Sequence, residues 1–457
     1  MVTGAFAGAV RRVGRWADSL DRADRVPVSP PEPEGPGAAA SAWAVAKAAG
    51  VVATAPLSVP ALAVAARRTA NDCLVRIEQY PEHLHALAEG RPSPLPAPRT
   101  LRLDAGRRWL ITSDLHRCVP GRTDWPERQH TKALYAHMLE HYAERGWGLI
   151  ENGDVEDFWM VGGSAWGAVY DIARIAGGVA AVFDDSMRLQ LFAEQLDRTV
   201  DNNALTYRLI REGFLADGRY HRTMGNHDEA YDDPVLVARL DEHLGGVDPV
   251  DTILLVDGGT DGDTDGTADG HTADGRPAHP GVVQAVVSHG HLTDSWNGPG
   301  YSPLGRAITW LALGLDDLPT PAGSEGLPDE QAVDRLLSGR GRNRLVTLDP
   351  RFGGNRRFDS LDEERLFARL AEAEPEPGWP WMLFGHTHYP MLWPVNAEGD
   401  PVRYANSGCG VLDHTVSALE WDPGGGDDPV HLVMWTDDGT GPRRVELVAD
   451  GAALQVV

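Results

Sequence analysis

Trp109-Leu110-Ile111-Thr112-Ser113-Asp114-Leu115-His116 decides how the rest of this chain is read. Its first five residues read as a short strand, and a carboxylate and an imidazole follow at once, two positions apart. Alternate residues at a strand end can be aimed at a common centre as the chain turns. The same arrangement recurs downstream four times. Residues 147–150 lead into Gly153-Asp154-Val155-Glu156-Asp157, and 220–224 into Gly225-Asn226-His227-Asp228. Residues 282–287 lead into His289-Gly290-His291, and 381–384 into Gly385-His386-Thr387-His388. Between the first two clusters, Leu134, Tyr135, Met138, Leu139 and Tyr142 repeat at helical spacing. Short apolar runs alternating with amphipathic segments predict α/β layers. Sheets of that kind hold ligands at strand carboxyl ends.

All five clusters use side chains that bind hard or borderline divalent cations: carboxylate, imidazole and amide oxygen. Their glycines let backbone approach a crowded site. Taken singly, each is weak, because a lone histidine is usually a satisfied surface or core residue and Gly-Asn usually marks a turn. Five in this order, each behind a strand, carry the reading together.

That ordered set resembles the signature of the calcineurin-like metallophosphoesterases over residues 101–448, and Asn406-Ser407-Gly408 looks like the Asn-x-Gly turn that follows the final His pair. The resemblance implies an α/β fold, a four-layer αββα sandwich, carrying two divalent metal ions. Mixed oxygen and nitrogen ligands suit Mn, Fe, Zn or Co alike. By family pattern one metal would take Asp114, His116 and His388, and the other Asn226, His289 and His386, with Asp154 bridging both. His289 is preferred to His291 because the family's ligand opens the His-Gly pair. Two such cations, about 3.5–4 Å apart, would share a water, lower its pKa and clamp phosphoryl oxygens for in-line attack by the bridging hydroxide. His227 matches the family histidine beside the phosphate, placed to stabilise developing charge and protonate the leaving oxygen. Asp157 matches the carboxylate that orients that imidazole, and a helix N-terminal acid is the competing reading. Asp228 reads as local support.

The implied function is binuclear-metal-dependent hydrolysis of phosphate esters or phosphoanhydrides on a small or lipid-linked substrate. Ser/Thr protein phosphatases read Gly-Asp-x-Val-Asp-Arg-Gly, whereas here Phe158 and Trp159 follow Asp157, which argues against that branch. The stretches from Gly153 to Trp159 and from Ser288 to Asp294 look locally like the UDP-diacylglucosamine pyrophosphatase branch. Two alternatives stay open. One is a cyclic-nucleotide phosphodiesterase or nuclease on the same fold. The other is a non-catalytic scaffold, which the complete ligand set disfavours.

Composition narrows the partners. The 457 residues carry 41 Lys and Arg against 67 Asp and Glu, a formal charge of -26, which argues against long nucleic acids. Three cysteines cannot form a disulfide framework and point to reduced thiols in a cytoplasmic protein. Nothing in the sequence speaks to oligomeric state.

Residues 1–100 read as an N-terminal helical and linker region, and 101–450 as the metallophosphoesterase domain. In the former, Phe6, Val10, Val13, Trp16 and Leu20 mark an amphipathic helix, and 27–37 and 91–99 are Pro-rich links. The Ala- and Val-rich stretch 41–66 is the one membrane candidate, but Lys47, Pro56 and Pro60 interrupt it. A helix docked on the main domain is the better reading there, with membrane-surface contact second. No secretory signal is expected, because Arg11, Arg12 and Arg15 follow the short apolar start rather than precede it.

Residues 257–280 form a low-complexity Asp/Gly/Thr insert, and 293–380 a helical insert that could act as a lid. Within the latter, Arg340, Arg342, Arg344, Arg351, Arg356 and Arg357 read first as a solvated surface loop paired with acids elsewhere, and second as a landing site for another phosphate or anionic group. Trp159, Trp166 and Trp296 suit a stacked base, an acyl pocket or plain core.

Overall fold

Among the described residues the strands run, in chain order, β1 (Thr100–Asp104), β2 (Trp109–Thr112), β3 (Gly148–Asn152), β4 (Tyr220–Thr223), β5 (Thr252–Val256), β6 (Val283–Ser288), β7 (Trp381–Phe384), β8 (Pro390–Leu392), β9 (Tyr404–Ser407), β10 (Thr415–Trp421), β11 (Val430–Asp437), β12 (Pro442–Asp450) and β13 (Ala453–Val456). The computed structural model describes residues 67–95, 99–120, 124–159, 185–257, 281–295, 297–298, 361–375, 378–394, 401–412, 414–424, 428–437, 439–450 and 453–456. The helix at 6–20, the link at 27–37, the stretch 41–66, the arginine cluster, Trp166, Trp296 and nearly all of the low-complexity insert lie outside them.

Two mixed sheets result. One has the order β1-β5-β6-β7-β9-β8, the other β13-β12-β11-β10-β2-β3-β4. In the second, β2, β3 and β4 are parallel and β10 joins β2 antiparallel, leading into an antiparallel meander. In the first, β6, β7 and β9 are parallel.

Side-chain alternation along these strands sorts the apolar residues into three cores. Trp109 and Ile111 of β2 face Ile253 and Leu255 of β5, Val287 of β6 and Leu383 of β7 between the sheets. Leu110 and Leu149 point the other way, into a core shared with the helices Lys132–Glu144, Ala204–Gly213 and Pro234–Leu244. Leu254, Val286 and Met382 point outward from the first sheet onto a helix at 67–89 and the helix Leu361–Glu372. The architecture is therefore a mixed α/β sandwich with helices outside both sheets. No helix among the described residues is long and apolar enough to cross a membrane.

The five strands expected ahead of the clusters are present. The span 185–213 is two helices, Asp185–Asn202 and Ala204–Gly213. Asn203 breaks it, with φ -116 and ψ 29 and its side-chain amide turned back to the Thr199 carbonyl. Of the helical insert expected at 293–380, the described residues include the helix Leu361–Glu372, where Glu363 accepts the Tyr404 hydroxyl at 2.5 Å.

Candidate metal centre

The loops after β2, β3 and β4 meet those after β6 and β7 at one edge of the sandwich, and backbone bonds stitch them together. Asp114 and His116 donate their N–H groups to the Gly153 and Asp154 carbonyls at 3.1 and 2.9 Å. Gly385 donates to the His289 carbonyl at 3.1 Å, and the His386 N–H to Asp114 Oδ2 at 2.8 Å. Asp228 clamps two of the loops, Oδ2 accepting the Val155 N–H and Oδ1 the Gly225 N–H.

Backbone strain concentrates here. Asp114, His116, Asp154, His386 and His388 all adopt left-handed φ values between 46 and 71°. They are five of the eight non-glycine residues with positive φ among those described. At about 1–2 kcal/mol each, the five conformations cost an amount comparable with the net stability of a domain. Such strain is a reason to look for function.

The carboxylates share one design. Asp114 Oδ2 accepts Ser113 Oγ–H at 2.5 Å as well as the His386 N–H, whereas its buried Oδ1 has no hydrogen bond and lies 3.2 Å from His388 Nε2. Asp154 Oδ1 accepts the His227 N–H at 2.8 Å, and its Oδ2 lies 3.3 Å from His289 Nε2 and 3.9 Å from His116 Nε2. In each, one oxygen orients the group and the other faces imidazoles.

The imidazoles are set in complementary fashion. His116 Nδ1 donates to Asp157 Oδ2 at 2.9 Å, and His289 Nδ1 to the Asn152 carbonyl at 2.9 Å. Both Nε2 lone pairs are thereby directed into the centre. There His116 Nε2 meets His388 Nε2 at 3.1 Å, and His289 Nε2 meets Asn226 Oδ1 at 3.3 Å. His386 turns Nε2 to Asp294 Oδ2 at 3.0 Å, leaving a buried Nδ1 with no hydrogen bond.

Lone pair thus faces lone pair, and only protons or cations can fill such a space. Three sets of side chains have ligand atoms at cation spacing: Asp114, His116 and His388; Asp154, His289 and His386; and His116, Asp154 and His227. This donor set and the orphaned Asp114 Oδ1 fit divalent cations. His291 joins none of these sets, although its ring centroid is 5.4 Å from that of His289.

Electrostatics agree with the geometry. Against the lowering effect of burial, the Asp154 and Asp114 carboxylates push His289 up to about 9. His388 is likewise raised well above its ordinary value, burial being outweighed by Asp114. Burial opposes, but the His289 and His388 charges win, holding Asp114 down to about 2. His227 is raised, Asp157 and Asp154 overcoming its burial.

Asp157 is buried and touches two imidazoles: His116, and His227 Nδ1 at 3.0 Å from Oδ1. Trp159 stacks on His227 at 4.0 Å between centroids. Beneath the loops lies a buried ionic layer. Arg117 pairs with Glu151 at 2.7 Å and Arg222 with Glu156 at 2.5 Å, while Tyr135, Tyr220 and Tyr231 donate their hydroxyls to the two glutamates.

Every metal-ligating residue expected from the sequence, together with His227 and Asp157, therefore lies in this one centre. Sequence reasoning gave no role to Asp294, to Ser113 or to the Asn152 carbonyl. Asp294 stood inside the stretch from Ser288 to Asp294, but nothing in its spacing tied it to His386. Comparison with family models, with curated proteins and with solved structures finds no match to the chain.

Proposed function

We propose that this chain is a binuclear-metal-dependent phosphoesterase of the calcineurin-like kind, with the αββα layering of that fold. The observation that carries this reading is the convergence of unpaired lone pairs from Asp114, His116, Asp154, Asn226, His289, His386 and His388 on one strained edge.

Asp114, His116 and His388 would hold one divalent cation and Asn226, His289 and His386 the other, with Asp154 between them. Bound in pairs, such cations supply Lewis acidity to phosphoryl oxygens and lower the pKa of a shared water. His227 handles the proton. Burial opposes it, but Asp157 and Asp154 raise its pKa, which favours the protonated form that can donate to the departing oxygen and offset charge growing at phosphorus. The spacing of His116, Asp154 and His227 also admits His227 as a ligand, but its contact with Asp157 and its stacking on Trp159 suit an oriented acid better. The substrate class that fits is a small or lipid-linked phosphate compound, since the charge of -26 repels long nucleic acids.

The test is a panel of aryl monoesters, diesters and nucleoside-diphosphate conjugates, run with Mn, Fe, Zn and Co, alongside metal analysis of the protein. About two ions per chain and turnover of at least one class are expected, both lost in Asp154→Asn. A native chain that binds the ions yet turns over none of the three classes would count against the hydrolase and for the scaffold.

A further inference from the structure

We infer that the N-terminal helix at 67–89 is a working part of the metal centre, coupled to His386 through Arg76 and Asp294; this rests on the two-cation reading above. The coupling begins at a 3-10 turn, His291–Thr293, just after His289. Three consecutive carbonyls leave that turn toward the helix, and two helix side chains three residues apart take all of them. Cys73 Sγ donates to the Thr293 carbonyl at 2.9 Å. Arg76 Nε donates to the Leu292 carbonyl at 2.6 Å and an Arg76 terminal N–H to the Asp294 carbonyl at 3.2 Å. Residues three apart share a helix face, so one face of one helix fixes the turn.

The turn in turn fixes a carboxylate. Asp294 Oδ1 accepts the Asn297 N–H at 2.9 Å, and Oδ2 takes His386 Nε2 at 3.0 Å. The Ser295 N–H goes to Asp362 at 3.2 Å, tying the turn to the second outer helix as well. A carboxylate on the far nitrogen of a metal-binding imidazole sets its tautomer and aim. Arg76 is buried, with its guanidinium on backbone carbonyls rather than on an acid. Its fork reaches two carbonyls at once, which a lysine ammonium would hold with less direction. Arg76 and Asp294 are thus positioning residues for His386.

The experiment is calorimetric titration of the full-length, metal-stripped chain with Mn2+ alone, comparing the native sequence, Asp294→Asn and Arg76→Lys. The native chain should take up two ions in two steps. Both variants should weaken one step by about 10–100-fold and leave the other unchanged. A metal-independent reading comes from amide hydrogen exchange across 291–298 in the stripped chain, which should quicken in Arg76→Lys. If Arg76→Lys does not fold, Cys73→Ala removes the neighbouring donor and is read the same way. Native uptake of two ions with the helix variant unchanged at both steps, or weakened equally at both, overturns the coupling and leaves the two-cation reading standing. A native chain that takes up none overturns that reading, and the coupling with it.

Discussion

Asp157 holds two imidazoles with one carboxylate: Oδ2 lies 2.9 Å from His116 Nδ1 and Oδ1 lies 3.0 Å from His227 Nδ1. One ring belongs to the proposed cation site and the other to the proposed acid, so the residue couples metal affinity to proton delivery. Asp157→Asn should therefore damage both, lowering metal affinity about tenfold and turnover by more. His227→Ala should lower turnover by about 100-fold or more with metal content kept. Parallel metal analysis and kinetics separate the two; loss of metal in His227→Ala would make His227 a ligand.

Protons and cations compete for the same lone pairs, which fixes a pH dependence. His289 is raised to about 9 by Asp154 and Asp114 against its burial, and His388 is raised too, so in the metal-free chain both carry protons at neutrality. Cation uptake must release them, and affinity should fall as pH drops below about 9, by up to tenfold per unit for each proton released. The metal-free chain behaves in the opposite sense. A folded pKa above the unfolded one gives stability that is complete below about 6.5 and lost as pH rises through about 9. Titration in buffers of different ionisation enthalpy counts the protons. Uptake with no proton release would contradict the arrangement.

What was legible in the sequence was local. Each ligand sits one to four residues beyond its strand, so strand pattern and ligand chemistry could be read in one window. Contacts made between distant windows were not legible. Asp294 reaches His386 across 92 positions and Arg76 reaches the Leu292 carbonyl across 216. The helix carrying Arg76 read as part of a linker-rich N-terminal region because its apolar face declares itself only against Leu254, Val286 and Phe367. The double contact of Asp157 was half legible, since the family pattern pairs it with His227, whereas its contact with His116 Nδ1, 41 positions away, gives no sign in a sequence.

The buried ionic layer makes a prediction about stability rather than rate. Glu156 receives Arg222 and the Tyr231 hydroxyl, with Arg117 at 3.6 Å, and burial is overcome by those two cations to hold its pKa down. Neutralising it strands the buried Arg222 guanidinium, while Arg117 keeps Glu151, and removing one partner of such a buried pair costs about 3–5 kcal/mol. Glu156→Gln should lower the denaturant midpoint accordingly, with the slope unchanged. A loss below about 1 kcal/mol would mean that water, not Glu156, compensates Arg222.

Gly225 offers a steric test of how tightly the centre is closed. A Cβ at that position would stand 2.1 Å from Asp154 Oδ1 and 2.5 Å from the Asp154 backbone nitrogen. Neither atom can yield without moving the carboxylate proposed to bridge the two cations, because Oδ1 is the oxygen held by the His227 N–H. A displacement of about 1 Å at a reacting centre costs on the order of 100-fold in rate. Gly225→Ala should therefore lose at least that much turnover, and metal with it. Gly218→Ala is the control, since a Cβ there meets nothing within 4 Å, and its left-handed φ of 64° costs only backbone strain. If the two variants lose stability alike but both keep full metal content, the loops are looser than their hydrogen bonds indicate, and Asp154 is not held between the ions by this contact.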